Sequence, residues 1–271
     1  MPQAPHIGFV AGQSPARGDR VVHRFDSDGV EIAYIDEGAG PPTLLIHGFA
    51  SNHRVNWVST LWVRDLVAAG RRVIALDNRG HGESAKLYDR SAYTTPTMAG
   101  DAFRLLDHLA IDRADVIGYS MGARIAAFLA LLHPDRVRSA ALSGLGERMV
   151  TGVGPSAPIA DALLAPSLDD VTDPQGRMFR AFAEQTGADR RALAACISAA
   201  RQVLSPGELA RITVPVLVSV GSDDDIGGSP EALARLIPGA EAFVIAGRDH
   251  MKAVGDRRHK AAVLEFLSRA R

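Results

Sequence analysis

Ser120 stands between two glycines in "DVIGYSMGAR", Asp115 to Arg124, after apolar β-formers and before an alanine-rich helical pattern. A serine at a strand-to-helix junction commonly caps the new helix, with the glycines as turn punctuation. The spacing Gly118-x-Ser120-x-Gly122 offers a second reading. A turn this tight strains the serine's backbone, tolerates no bulk two positions to either side, and lifts the hydroxyl into the open. The pattern alone is a weak signal; its place between a buried strand and a helix gives it weight.

A serine hydroxyl is a poor nucleophile without a base. Of nine histidines, His6, His23, His108, His133 and His259 read as surface or packing residues. His81, in "DNRGHGES", is explained by a Gly-rich loop, and His53, in "ASNHR", sits in a polar segment that could line a pocket. His250 closes "AFVIAGRDH" after the last apolar run, in a loop at the same C-terminal sheet edge as Ser120. It is the expected base. Such a base needs a carboxylate to hold its tautomer and stabilise the imidazolium. "VLVSVGSDDD" delivers three aspartates at that edge. Asp224, three residues after Gly221, is the expected partner, with Asp223 and Asp225 as rivals; a solvated loop or a cation site is the plainer reading.

An acyl-transfer site also needs donors for the developing oxyanion, each worth about 3 kcal/mol in the transition state. The backbone N–H of Met121, at the new helix's N-terminus, is one expected donor. Phe49, after His47 and Gly48 in "LLIHGFA", is the other, with His47 holding the loop. An ordinary strand-to-loop turn would also produce "HGFA". The departure of both loops from neighbouring strand ends favours the functional reading.

These residues need a scaffold that brings loops to one edge. The predicted strands are "VEIAYIDEG", "TLLIHG", "RRVIALD", "ADVIGYS", "RSAALSG", "PVLVSVG" and "AEAFVIAG", most of the later ones continuous apolar runs. Helical patterns alternate with them at Trp57–Ala68, Met98–Leu109, Gly122–Leu132, Pro230–Leu236 and Arg257–Ala270. That alternation predicts an α/β fold with a mostly parallel sheet covered on both faces. "DSDG" reads as a hairpin turn, so the sheet opens antiparallel. From about Leu145 to Ser205 no strand signal appears, and apolar stripes at Met178, Phe179 and Phe182 and at Leu193, Ile197, Ala200 and Leu204 mark helices. This segment is expected to be a helical cap, or else further core helices. Residues 1–20 read as a flexible lead-in, and 21–144 with 206–271 as the core.

The order HGF, DNRGHGES, GYSMGA, GSDDD, GRDH resembles the α/β-hydrolase fold family, from about Val21 onward. The resemblance implies Ser120 as nucleophile, His250 as base, Asp224 as acid, and an oxyanion hole from Phe49 and Met121. It also implies that the 145–205 segment is the family's cap. Haloalkane dehalogenases and epoxide hydrolases of this fold carry an aspartate where this chain has Ser120, which disfavours both. "HGFA" in place of "HGGG" resembles the esterase, lactonase and carbon–carbon hydrolase branches. Asp249 stands where a small residue is more usual and is expected to influence the charge on His250.

The expected activity is hydrolysis of a small to medium apolar carboxylic ester through an acyl-enzyme. Alternatives are an enol-lactone or carbon–carbon bond hydrolase, an acyltransferase, or a hydrolase-like ligand receptor. Met149, Met178, Phe179 and Phe182, with Val150, Ile159 and Leu163, are the expected pocket lining. No H-E-x-x-H, P-loop or G-x-G-x-x-G after a strand is present, so no metal or other cofactor is expected, and the partner is a small molecule. The 271 residues, 46% hydrophobic, suffice for one domain core. A net charge of −1 gives no general attraction to nucleic acid or an anionic membrane. Single Cys196 precludes an internal disulfide and suits a reducing compartment. With no recognisable signal peptide and no run near the roughly 18 apolar residues of a membrane span, a cytoplasmic location is expected.

Overall fold

The computed structural model describes residues 20–270; His6 and the lead-in to residue 19 lie outside them. Eight strands form: β1 (His23–Asp26), β2 (Glu31–Glu37), β3 (Pro42–Ile46), β4 (Arg72–Leu76), β5 (Ala114–Tyr119), β6 (Val137–Ser143), β7 (Val216–Gly221) and β8 (Glu241–Ile245). They join in one sheet ordered β1-β2-β4-β3-β5-β6-β7-β8. The expected antiparallel start is present in the β1–β2 and β2–β4 pairs, and every later pair is parallel. Strands β5 and β7 are buried at every residue, as central strands under two helical layers must be. Strand β8 differs: it pairs only with β7, and Val244 is exposed at that edge.

The helices are α1 (Trp62–Ala68), α2 (Thr95–His108), α3 (Met121–Leu132), α4 (Arg148–Thr151), α5 (Ala157–Leu164), α6 (Pro174–Gln185), α7 (Arg190–Ile197), α8 (Pro206–Leu209), α9 (Pro230–Ala234), α10 (His250–Ala253) and α11 (Arg257–Arg269). On one face α2 and α3 pack through Met98, Leu105, Ile125 and Leu129. On the other, α1 and α11 bring Trp62, Leu66, Val263 and Phe266 together. The expected helix over Trp57–Ala68 is broken. A wide turn spans Arg54–Val58, Leu61 takes a left-handed φ of 68°, and only then does α1 begin. Trp57 and Trp62 explain the break. On one continuous helix, five residues apart, they would point about 140° apart. With the break, both indoles are fully buried and meet edge-to-face at 5.9 Å.

Between β6 and β7 the chain carries α4 to α8 and no strand among the described residues. Helix α6 leans on the loop after β3. Phe179 meets Phe49 edge-on at 5.5 Å, and the Thr186 hydroxyl donates to the Ala50 carbonyl at 3.1 Å.

A buried ion pair ties the loop after β4 to α2. Arg79 donates twice to Asp101, at 2.7 Å each, and the Ser27 hydroxyl donates to the same carboxylate at 2.6 Å. Removing the acid leaves a guanidinium enclosed without a counter-charge. Asp101→Ala is expected to cost about 3–5 kcal/mol of folding stability, read from the urea midpoint. A loss below about 1 kcal/mol would mean that Arg79 behaves as a surface cation.

Candidate active site

Ser120 occupies the N-cap position of α3 with φ 55° and ψ −113°, yet its side chain caps no helix amide. The crossing of strand and helix explains the flanking glycines. A Cβ on Gly118 would be driven into the Gly122 carbonyl, and one on Gly122 into the Ile46 carbonyl of β3. With bulk excluded there, the hydroxyl is free for another partner. That partner is His250, whose Nε2 lies 3.0 Å from Ser120 Oγ.

His250 opens α10 after β8 and is 7% exposed. Its Nδ1 lies 2.8 Å from Asp224 Oδ2. A carboxylate only accepts, so Nδ1 carries the proton and Nε2 is left to accept from the serine. The other carboxylate oxygen of Asp224 accepts the N–H groups of Ile226 (2.9 Å) and Gly227 (2.8 Å). Asp223 and Asp225 point to solvent. Asp249 caps α10 through the Met251 and Lys252 N–H groups and pairs with Lys252.

Tyr119, unremarked in the sequence, lies under this arrangement. Its hydroxyl donates to the His250 carbonyl, and burial holds the phenol well above its ordinary pKa, so it stays a donor. Behind it, His259 Nε2 lies within 2.9 and 3.0 Å of the Ser143 and Ser219 hydroxyls, and burial pushes its pKa down to about 4. His259 is thus a neutral packing residue.

The loop after β3 is set by His47. Its Nε2 accepts the Asn78 N–H at 2.9 Å, and its Nδ1–H donates to the Gly48 carbonyl at 2.7 Å. Both nitrogens are engaged and burial lowers its pKa, which leaves no free base there. Asn56 Oδ1 accepts the Gly48 N–H at 3.1 Å. The next N–H, of Phe49, has no acceptor among the described residues, and neither has that of Met121 at the first position of α3.

His53 lines neither cavity described below and belongs instead to Asp77. Its backbone N–H donates to Asp77 Oδ1 at 2.6 Å, and its Nδ1 lies 2.9 Å from the same oxygen. Burial alone would raise the Asp77 carboxyl, but the His53 bond and its neighbours bring it down to about 2. A depressed acid stabilises the fold above its unfolded pKa, near 3.8, and that stability drains as pH falls through the folded value near 2. Asp77→Asn is therefore expected to remove about 2 kcal/mol of the stability difference between pH 5 and pH 2. Denaturant midpoints across that window give the answer; equal slopes in both proteins would contradict it.

Two cavities open onto Ser120. The larger, about 210 Å³, is lined by His250, Tyr119, Phe182, Met251 and Val254. The smaller, about 50 Å³, is lined by Met121, Arg124, Leu145, Ile197 and Arg201. Phe49 and Phe179 belong to both. Five of the expected lining residues lie elsewhere. Met178 is 37% exposed, one residue and about 100° before Phe179 on α6, and it faces outward. Met149, on α4, is fully buried in the core, as Ile159 and Leu163 of α5 are. None of these, nor Val150, lines either cavity. Arg124 and Arg201 went unnoticed in the sequence, although Arg124 falls one helical turn after Ser120, on the same side of α3.

The model of the α/β-hydrolase fold family matches residues 41–193, more than half of the chain. Over 132 residues the chain is 41% identical to the dihydrolipoyllysine-residue acetyltransferase component of the acetoin cleaving system of Cupriavidus necator, covering 47% of this chain and 33% of that protein. Over 128 residues it is 38% identical to an epoxide hydrolase of Caballeronia sordidicola, covering 46% and 36%. The chain thus spans about a third of the length of these relatives. Among solved structures, a hydrolase from Pseudomonas aeruginosa superimposes with a TM-score of 0.75 at 27% identity, over 91% of this chain and 98% of that one. No helix among the described residues is long and apolar enough to cross a membrane. With its sheet order, its Gly118-x-Ser120-x-Gly122 turn and the match of the family model, the chain belongs to the α/β-hydrolase fold family.

Proposed function

We propose that the protein is a serine hydrolase that cleaves a carboxylic ester through an acyl-enzyme. The observation that carries this reading is the line Ser120 Oγ, His250 Nε2, His250 Nδ1, Asp224 Oδ2, with gaps of 3.0 and 2.8 Å. His250 takes the Ser120 proton as the oxygen attacks the ester carbonyl. The Phe49 and Met121 N–H groups, free of other acceptors, receive the oxyanion. His250 then passes its proton to the departing alkoxide, and the acyl group stays on Ser120. In the second half His250 activates water, which releases the acid and restores the serine, while Asp224 holds the imidazole throughout.

The helices between β6 and β7 act as the cap of this site, bringing Phe179 and Phe182 over the serine. The chemistry uses no cofactor and its partner is a small molecule. We assign its place of action to the cytoplasm, where buried, unpaired Cys196 stays reduced.

The test is a fluorophosphonate probe, read by peptide mass spectrometry alongside hydrolysis of short p-nitrophenyl esters. An adduct on the Ser120 peptide, with hydrolysis lost in step, supports the assignment. Hydrolysis that survives full labelling of Ser120, or an adduct on another residue, overturns it.

A further inference from the structure

The smaller cavity at Ser120 holds two arginines, Arg124 of α3 and Arg201 after α7. No aspartate or glutamate lines it. Their hydrogen bonds among the described residues go to neutral carbonyls. Arg124 donates to those of Arg148 (3.4 Å), Met149 (3.3 Å) and Gln202 (2.7 Å), and Arg201 to that of Gly154 (2.6 Å). Arg201 Nε is buried with no acceptor among the described residues. Arg124 is 3% exposed, and burial, then the nearby Arg201, pushes its pKa down to about 10. Arg124 therefore stays charged at neutral pH, and burial lowers the Arg201 pKa as well. An enclosed guanidinium beside a second, half-buried one, with no carboxylate between them, is costly unless a bound anion joins them, and a guanidinium's planar fork matches a carboxylate.

The two cavities also divide the substrate. His250 lines the larger cavity and not the smaller. The group that protonates a leaving oxygen must lie within hydrogen-bond reach of it, so the alcohol belongs in the larger, apolar cavity. The acyl arm is left with the smaller one, whose roughly 50 Å³ admits only a short group.

We propose that the preferred substrate is a half-ester of a short dicarboxylic acid with an apolar alcohol, its free carboxylate held by Arg124 and Arg201. This rests on the serine-hydrolase reading. Water is added across the ester: the acyl carbon's bond to the alcohol oxygen breaks, Ser120 carries the acyl group, and water releases the dicarboxylate.

Arg124 also ties α4 to the segment after α7, so the test is placed on Arg201. Benzyl hydrogen succinate and benzyl succinamate differ only in carboxylate against amide. Wild type is expected to favour the charged ester by about 10- to 100-fold in kcat/KM, and Arg201→Met to bring that ratio close to one. A wild-type ratio at or below one, or a ratio unmoved by the substitution, overturns the proposal. Thermal unfolding of Ser120→Ala supplies a readout without turnover. Glutarate should raise its Tm where neutral glutaramide does not, and the double variant with Arg201→Met should lose that rise. No rise with glutarate counts against the anion site. A rise without ester hydrolysis by the wild type leaves the anion site standing and removes the hydrolase reading, so the two failures have different signatures.

Discussion

Ser120→Ala is expected to lower kcat for a short p-nitrophenyl ester by about 10⁶-fold, with little change in thermal unfolding. Among the described residues, the hydroxyl is the one group at the junction of the two cavities aligned with a base, at 3.0 Å from His250 Nε2. Without it no acyl-enzyme forms, and residual turnover comes from binding and from the Phe49 and Met121 N–H groups. Stability should hardly move, because alanine inherits the same φ of 55° and gives up a single hydrogen bond. KM should change less than kcat, since the lost interaction is made mainly in the transition state. Activity within tenfold of wild type would place the nucleophile elsewhere.

The second large effect is predicted at the aspartate run. Asp224→Asn is expected to cost about 10⁴-fold in kcat, whereas Asp223→Asn and Asp225→Asn should stay within about twofold, the ordinary range for surface changes. An asparagine at 224 can turn its amide N–H toward Nδ1. The ring proton then moves to Nε2, which can no longer accept from Ser120. Asp223 and Asp225 are exposed and touch neither the imidazole nor the serine, so their charge is screened by water. A comparable loss at Asp225 would show that the loop after β7 rearranges when substrate binds.

Much of the arrangement is legible because local backbone demands leave marks. The Gly118-x-Ser120-x-Gly122 turn is written into the chain because a Cβ at either glycine would collide with a carbonyl. The parallel centre of the sheet shows as uninterrupted apolar runs because β5 and β7 are covered on both faces. Other features leave no such mark. Met178 and Phe179 are adjacent and both apolar, and only the seating of α6 against Phe49 turns one inward and the other to solvent. The left-handed Leu61 has no glycine or proline to announce it; two tryptophans that pack on each other impose it.

The sequence by itself determined most of the elements, their order, and the tight turn that exposes Ser120, because those follow from periodicity and sterics within a few residues. The tertiary structure decided which aspartate faces His250, since three neighbours of identical chemistry differ only in the direction the folded loop gives each. It also decided that Tyr119 anchors His250, 131 residues away along the chain, and that Arg124 and Arg201 share one cavity. Such pairings depend on chain closure over long separations, and no local pattern encodes where two distant side chains will meet.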